Sequence, residues 1–341
     1  MGSTMNPHSP AALTSGRLSV APMMDVTDRH CRYFLRQISR HTLLYTEMIT
    51  TGALLHGDID RHLRFHPAEH PIALQLGGSE PAELAHCARL GERYGYSEIN
   101  INVGCPSERV QKGAFGACLM AEPNLVADCV DAMQQAVGKP VSVKHRIGID
   151  RLEDYDFLRR FVDTIATRGC RTFVVHARNA ILKGLTPKQN REVPPLRYDF
   201  VYRLKREYPQ LHVSINGGIQ NWPQIDAHLN EVDGVMIGRA AENDPWLFAE
   251  ADARVFGATA PAPTRRDVLV AMANYADETM KEGTPLRHIV RHLHGLYRGR
   301  PVARRWRQML SDTAALRAND PGLLWRALEA IERREFDLNE A

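Results

Sequence analysis

Residues 141–176 decide the fold: Val141-Ser-Val-Lys144, then helical spacing over 154–167, then Phe173-Val-Val-His176. Two short β-branched runs joined by a helix read as a βαβ unit, because parallel strands need a long crossover. Strands buried on both faces are continuous apolar runs rather than alternating ones. Working outward, similar runs fall at 18–21, 43–46, 72–76, 98–102, 213–216 and 234–237, with helical spacing between some of them at 81–94 and 124–137. Eight such strands over this length predict a (β/α)8 TIM barrel. The rival, an open doubly wound sheet, would normally carry Gly-x-Gly-x-x-Gly after its first strand, and that motif is absent.

The strand ends carry a second message. They are polar or small: Pro22-Met23-Met24-Asp25, Glu47, Gln75, Asn102, Lys144, His176, Asn216 and Gly238-Arg239. In a barrel these ends converge on one mouth, where active sites are built. One polar strand end is ordinary; a full set in register predicts a site.

After Ala249 the strand signal stops. A linker with Gly257-Ala-Thr-Ala-Pro-Ala-Pro precedes helical spacing over 267–282, 285–297, 303–310 and 323–333. The expected organisation is a lead-in over 1–16, a barrel over 17–255 and a helical domain over 265–341. Between Gly283 and Ser311 no acidic residue occurs, while Arg stands at 287, 291, 298, 300, 304, 305 and 307. Helical spacing puts Arg287, Arg291, His294 and Arg298 on one face, and Arg304 and Arg307 on another. Solvated faces normally mix signs, so a one-sign arginine stripe points to phosphate and hence nucleic acid.

Composition closes other routes. The six cysteines include no Cys-x-x-Cys pair, which argues against a zinc ribbon or iron–sulfur cluster, so no metal is expected. No apolar run is long enough to span a membrane. The first residues lack the basic start and apolar core of a secretory signal, so a cytoplasmic location is expected, and the chain is taken as a monomer. A net charge of +3 decides little by itself.

The segment Ile99-Asn-Ile-Asn-Val-Gly-Cys-Pro106 carries a family resemblance, joined by Ala21-Pro-Met-Met, Gln75-Leu-Gly-Gly, Val143-Lys-His-Arg, His176-Ala-Arg, Asn216-Gly-Gly and Ile237-Gly-Arg. In this order they resemble the tRNA-dihydrouridine synthases. Tyr45-Thr-Glu-Met and Asn190-Arg-Glu-Val-Pro-Pro-Leu look like the A subfamily, which modifies positions 20 and 20a of the tRNA D-loop. The resemblance implies an FMN enzyme reduced by NADPH (NADH being possible), with tRNA as substrate.

Such chemistry needs a hydride at uracil C6 and a proton at C5. A flavin supplies the first, since no side chain can. A thiol with a pKa near ~8.5 stays mostly protonated at neutral pH and suits the second. Most free cysteines are small buried hydrophobes; the resemblance maps the acid to Cys105 rather than Cys118. Lys144 and His176 end adjacent strands and would serve the polar rim of the flavin, with Gln75 as an amide donor and acceptor. Either lone cation would more often be a structural strand end. Asn216-Gly217-Gly218 and Gly238-Arg239 occupy the usual phosphate position after strands seven and eight. Pro22, Met23 and Met24 would pack on the flavin ring. By resemblance, Asn102 bonds the target uridine, Lys188 and Arg191 contact tRNA beside the mouth, and Arg304 and Arg307 contact it from the helical domain. Two other readings exist. A small-molecule FMN oxidoreductase resembling dihydroorotate dehydrogenase leaves the arginine stripe without a role, and a non-catalytic tRNA-binding protein leaves Cys105, Lys144 and His176 without one.

Overall fold

The computed structural model describes residues 16–340, without the side chains of 109, 112 and 335–340. The lead-in expected over 1–16 therefore lies, Gly16 apart, outside the described residues. Eight parallel strands form a closed barrel in sequence order. They are β1 (Leu18–Val20), β2 (Leu43–Thr50), β3 (Ile72–Gly77), β4 (Glu98–Val103), β5 (Val141–Arg146), β6 (Thr172–His176), β7 (His212–Asn216) and β8 (Gly234–Ile237). Pairing of Ser19 on β1 with Met236 on β8 closes the ring. The expected TIM barrel is the observed fold.

Strand alternation sets what faces inward. Ala21, Leu43, Tyr45, Ala73, Val174 and Met236 form one buried cluster, with Met23 packed against it. They come from strands spread around the ring, so only the barrel interior can bring them together. On β4, Ile99, Ile101 and Val103 are fully buried. Each such side chain contributes roughly 1.5–3 kcal/mol by leaving water. The alternate residues Glu98, Asn100 and Asn102 bond instead to inward-facing side chains of β2, β3 and β5. This strand therefore buries apolar groups on one face and an ordered polar set on the other.

The described residues divide into two compact units, one comprising 16–27 and Thr42–Gly238, the other Asp28–His41 and 239–340. The linker expected near 255–265 lies inside the second unit. That unit includes helices Arg29–Ile38, Arg265–Lys281, Ala303–Leu310 and Leu323–Glu340. Tyr33 of the first stacks on Tyr275 of the second at 4.0 Å between ring centres. Ser39 Oγ donates to the Asp252 carboxylate at 2.6 Å, and the Arg40 and His41 amides donate to the same group. The helix after β1 thus joins the helical unit.

One helix differs from expectation. The segment 285–297 is not continuous: the helix Leu286–Val290 ends, and a 3-10 turn follows at Leu293–Gly295. Arg291 and His292 turn to the Asp28 carboxylate, at 3.3 and 3.0 Å. Gly295 passes so close to the chain that a Cβ there would meet Pro245 Cδ at 2.6 Å. Arg287, Arg291, His294 and Arg298 consequently do not share the single helical face that spacing gave them. Arg304 and Arg307 do lie exposed on the helix Ala303–Leu310, whose other side buries Trp306.

Candidate active site

Cys105 sits in the turn after β4, partly exposed. The turn is held from two directions. Asn102 Oδ1 accepts the amides of Gly104 and Cys105 at 3.1 and 3.0 Å. Arg146 Nε donates to the Gly104 carbonyl at 3.2 Å. The Cys105 carbonyl is taken by the Ala117 amide at 2.9 Å, and its Sγ lies 3.6 Å from Ser107 Oγ. With both its amide and its carbonyl held, the Cys105 backbone is fixed, which limits where the thiol can reach. Cys118, the competitor, donates instead to its local Phe115 carbonyl at 3.1 Å.

Gln75 and Asn102 are brought together: Asn102 Nδ2 donates to Gln75 Oε1 at 2.8 Å. Lys144 and His176 lie on adjacent strands, with Lys144 opposite Val174 and Arg146 opposite His176. Lys144 Nζ donates to Asn216 Oδ1 at 3.4 Å, and Asn216 Nδ2 donates to the Met236 carbonyl at 2.8 Å. Burial, helped by the Arg146 charge, lowers the Lys144 pKa to about 7. Burial and then Arg146, Lys144, Arg178 and Arg191 hold His176 well below its ordinary value, so its imidazole is neutral at physiological pH. Burial likewise brings Arg146 down to about 10. These basic groups act on one another across a single mouth, an arrangement suited to an anionic ligand.

Gly217 and Gly218 have φ of 121° and 74°, a conformation that favours glycine. A Cβ at Gly217 would press on His176 Cδ2 at 2.9 Å. A Cβ at Gly238 would meet nothing within 4 Å, so backbone there faces open space, as a phosphate cradle requires. Arg239 follows directly but opens the helix Arg239–Asn243, which belongs to the second unit. Pro22 and Met23 are partly buried at the end of β1, while Met24 is 55% exposed.

Lys188 and Arg191 are exposed on the long loop after β6. Between them Asn190 is fully buried, accepting the Ile181 amide and donating to the Ile181 and Leu185 carbonyls. Arg146 also donates to the Asn190 carbonyl at 2.9 Å. One buried guanidinium therefore ties the Cys105 turn to the loop bearing Lys188 and Arg191. Sequence reasoning missed this role of Arg146; an arginine two residues beyond an inward-facing Lys144 was the available signal.

The described residues contain no cluster of three or more His, Cys, Asp or Glu able to hold a metal, and no helix long and apolar enough to cross a membrane. Residues 19–332 match the model of the dihydrouridine synthase (Dus) family. The chain belongs to the Dus family. It is 57% identical to a tRNA-dihydrouridine(20/20a) synthase of Synechocystis over 92% of this chain and 94% of the relative. It is 54% identical to enzymes of that name from Pseudomonas aeruginosa, over 96% and 98%, and Escherichia coli K12, over 93% and 92%. Among solved structures, an old yellow enzyme homologue from Zymomonas mobilis superposes with a TM-score of 0.51 at 12% identity, covering 73% of this chain and 90% of that one. At that identity the likeness concerns the barrel fold. Membership makes this Dus chain an oxidoreductase, and the motifs quoted above fall within the matched residues.

Proposed function

We propose that this Dus-family chain reduces uridine to 5,6-dihydrouridine in the D-loop of tRNA, at positions 20 and 20a, with FMN as cofactor and NADPH as reductant, in the cytoplasm. The observation that carries the reading is the convergence, at one barrel mouth, of the braced Cys105 turn, the Lys144–Asn216 pair, His176 and the glycines after β7. The relatives' printed names support the substrate and the positions.

The residues present fit a flavin mononucleotide. A buried ammonium and a neutral imidazole suit the polar edge of its ring, and the open backbone at Gly238 beside Gly217 and Gly218 suits its phosphate. Bound there, the flavin would supply the hydride to uracil C6. Cys105 holds the proton for C5, and its fixed backbone limits where the thiol can reach. Asn102 has a second amide hydrogen, beyond the one given to Gln75, with which to hold the pyrimidine. The lysine ammonium offsets negative charge that develops on the ring edge. A stacked uridine cannot reach a barrel mouth, so the base must be flipped out, at roughly a few kcal/mol. Lys188 and Arg191 at the mouth, with Arg304 and Arg307 on the helical unit, provide compensating phosphate contacts.

The test is Cys105→Ala beside wild type, each with FMN, NADPH and unmodified tRNA, counting dihydrouridine by mass spectrometry. The variant should keep its flavin and oxidise NADPH while tRNA reduction falls by about 10²–10⁴. Wild type that oxidises NADPH without ever modifying tRNA would sink the reading, in favour of a small-molecule reductase.

A further inference from the structure

Beneath Asn102 a hydrogen-bonded chain of side chains runs the depth of the barrel. Asn102 Nδ2 donates to Gln75 Oε1 at 2.8 Å, and Gln75 Nε2 to Asn100 Oδ1 at 2.7 Å. Asn100 Nδ2 donates to Ser142 Oγ at 2.7 Å, and Ser142 Oγ to Glu98 Oε1 at 2.5 Å. Tyr45 Oη donates to the same carboxylate oxygen at 2.7 Å. From Glu98 to Asn102 the strand rises ~13 Å.

From Asn102 to Ser142 each side chain donates to the next one on the way to Glu98, and the two ends explain why. At the mouth, Asn102 Oδ1 meets two backbone N–H groups, which can only donate. At the base stands a carboxylate, which when ionised can only accept. Three amides and one hydroxyl lie between, each able to take either orientation alone. With a fixed donor at one end and a fixed acceptor at the other, only one polarity satisfies all of them. Gln75 and Asn100 are at most 1% exposed and Ser142 is fully buried, so a reversed amide would face like against like with no water to relieve it, and the penalty falls on the whole chain.

We infer that Glu98 is a positioning residue for the Cys105 turn: its carboxylate, acting through Ser142, Asn100 and Gln75, fixes which end of the Asn102 amide faces that turn. If the Asn102 amide reversed, its NH2 would oppose the Gly104 and Cys105 amides and release the turn. Glu98 itself touches no reacting atom. The consequence for catalysis rests on the proposed role of Cys105; the consequence for the turn does not.

Two variants attack the chain at different links. Glu98→Gln keeps the shape but replaces the one-way acceptor by a group that can also donate. Ser142→Ala disconnects the carboxylate, and Ser142→Thr restores the hydroxyl. In the holoenzyme, Glu98→Gln and Ser142→Ala should each lower kcat for uridine reduction about tenfold, with KM for tRNA and the rate of flavin reduction by NADPH within about twofold. Combined, they should be little worse than either, because they cut one chain. Ser142→Thr should recover most of the loss. Independently of turnover, the iodoacetamide labelling rate of Cys105, read by peptide mass spectrometry, should change about threefold or more in Glu98→Gln and Ser142→Ala and return in Ser142→Thr. Labelling at the wild-type rate in both disrupted variants would overturn the inference. Should wild type fail to modify tRNA while labelling responds as expected, the functional reading falls and the positioning role stands.

Discussion

Lys144 and Asn216 meet across the barrel mouth from strands separated by β6, the lysine ammonium donating to the asparagine oxygen at 3.4 Å. The contact is long and its acceptor neutral, and Arg146 adds repulsion, so burial prevails and lowers the lysine pKa to about 7. The folded protein thus holds this proton less tightly than the unfolded chain, where a lysine titrates near ~10.4. Between these values the unfolded chain binds more protons, so stability rises as pH increases from about 7 to ~10, and the full cost is present below pH 7. In the flavin-free protein, Lys144→Met should stabilise by about 1–2 kcal/mol at pH 7 and flatten that rise. It should also weaken FMN binding. Urea unfolding from pH 7 to 10 checks the sign; a Lys144→Met protein less stable at every pH would show that the ammonium is a net structural asset.

The glycines after β7 and β8 separate strain from ligand contact. Gly217 has a left-handed φ and a Cβ there meets His176, so Gly217→Ala should destabilise by about 1–3 kcal/mol whether or not flavin is present. Gly238→Ala has open space and should fold as wild type. If Gly238 cradles the phosphate, its FMN Kd should nonetheless rise about tenfold or more, because a methyl would displace the close backbone approach. Fluorescence titration with FMN distinguishes the two, and an unaltered Kd in Gly238→Ala would move the phosphate elsewhere.

Much of this was legible from the residues. Continuous β-branched runs such as Val141-Ser-Val and Phe173-Val-Val announced parallel strands, and their polar ends announced a mouth. Less visible was what depends on partners distant in sequence. The chain under Asn102 hides in an alternation, Glu98, Asn100 and Asn102 between isoleucines, which a reading of β4 as a buried run passes over. Helix spacing could not foresee that Asp28 captures Arg291 and His292, because those residues are 263 and 264 positions apart from it. Nor does periodicity say that the helix Arg29–Ile38 packs with Tyr275 rather than as one more barrel helix.

His145 faces outward from β5 between Phe161 and Phe173, its Nδ1 donating to the Arg146 carbonyl at 2.6 Å and its Nε2 buried without a partner. Burial lowers its pKa to about 4. The unfolded chain, with histidine near ~6.5, binds the extra proton first as pH falls. Stability is therefore lost progressively from about pH 6.5 down to about 4, by at most roughly 2 kcal/mol at pH 5 from this residue. His145→Phe should flatten the stability profile between pH 7 and 5. Equal slopes for variant and wild type in guanidinium unfolding would show that His145 is not the titrating group.

Arg304 and Arg307 are exposed near one another on the helix Ala303–Leu310, whose buried Trp306 donates from Nε1 to the Leu293 carbonyl at 2.8 Å. Their substitution should therefore leave the helical unit folded. If they neutralise two tRNA phosphates, Arg304→Gln with Arg307→Gln should weaken tRNA binding at low salt and lessen the slope of log K against log salt by about 1–2. Flavin content and NADPH oxidation should stay as in wild type, because the proposed flavin site is built from residues of the barrel mouth. Anisotropy titrations across a salt series read the slope directly. An unchanged slope would remove these two arginines from the phosphate path and leave Lys188 and Arg191, on the loop that Arg146 ties to the Cys105 turn, as the cations that register the tRNA.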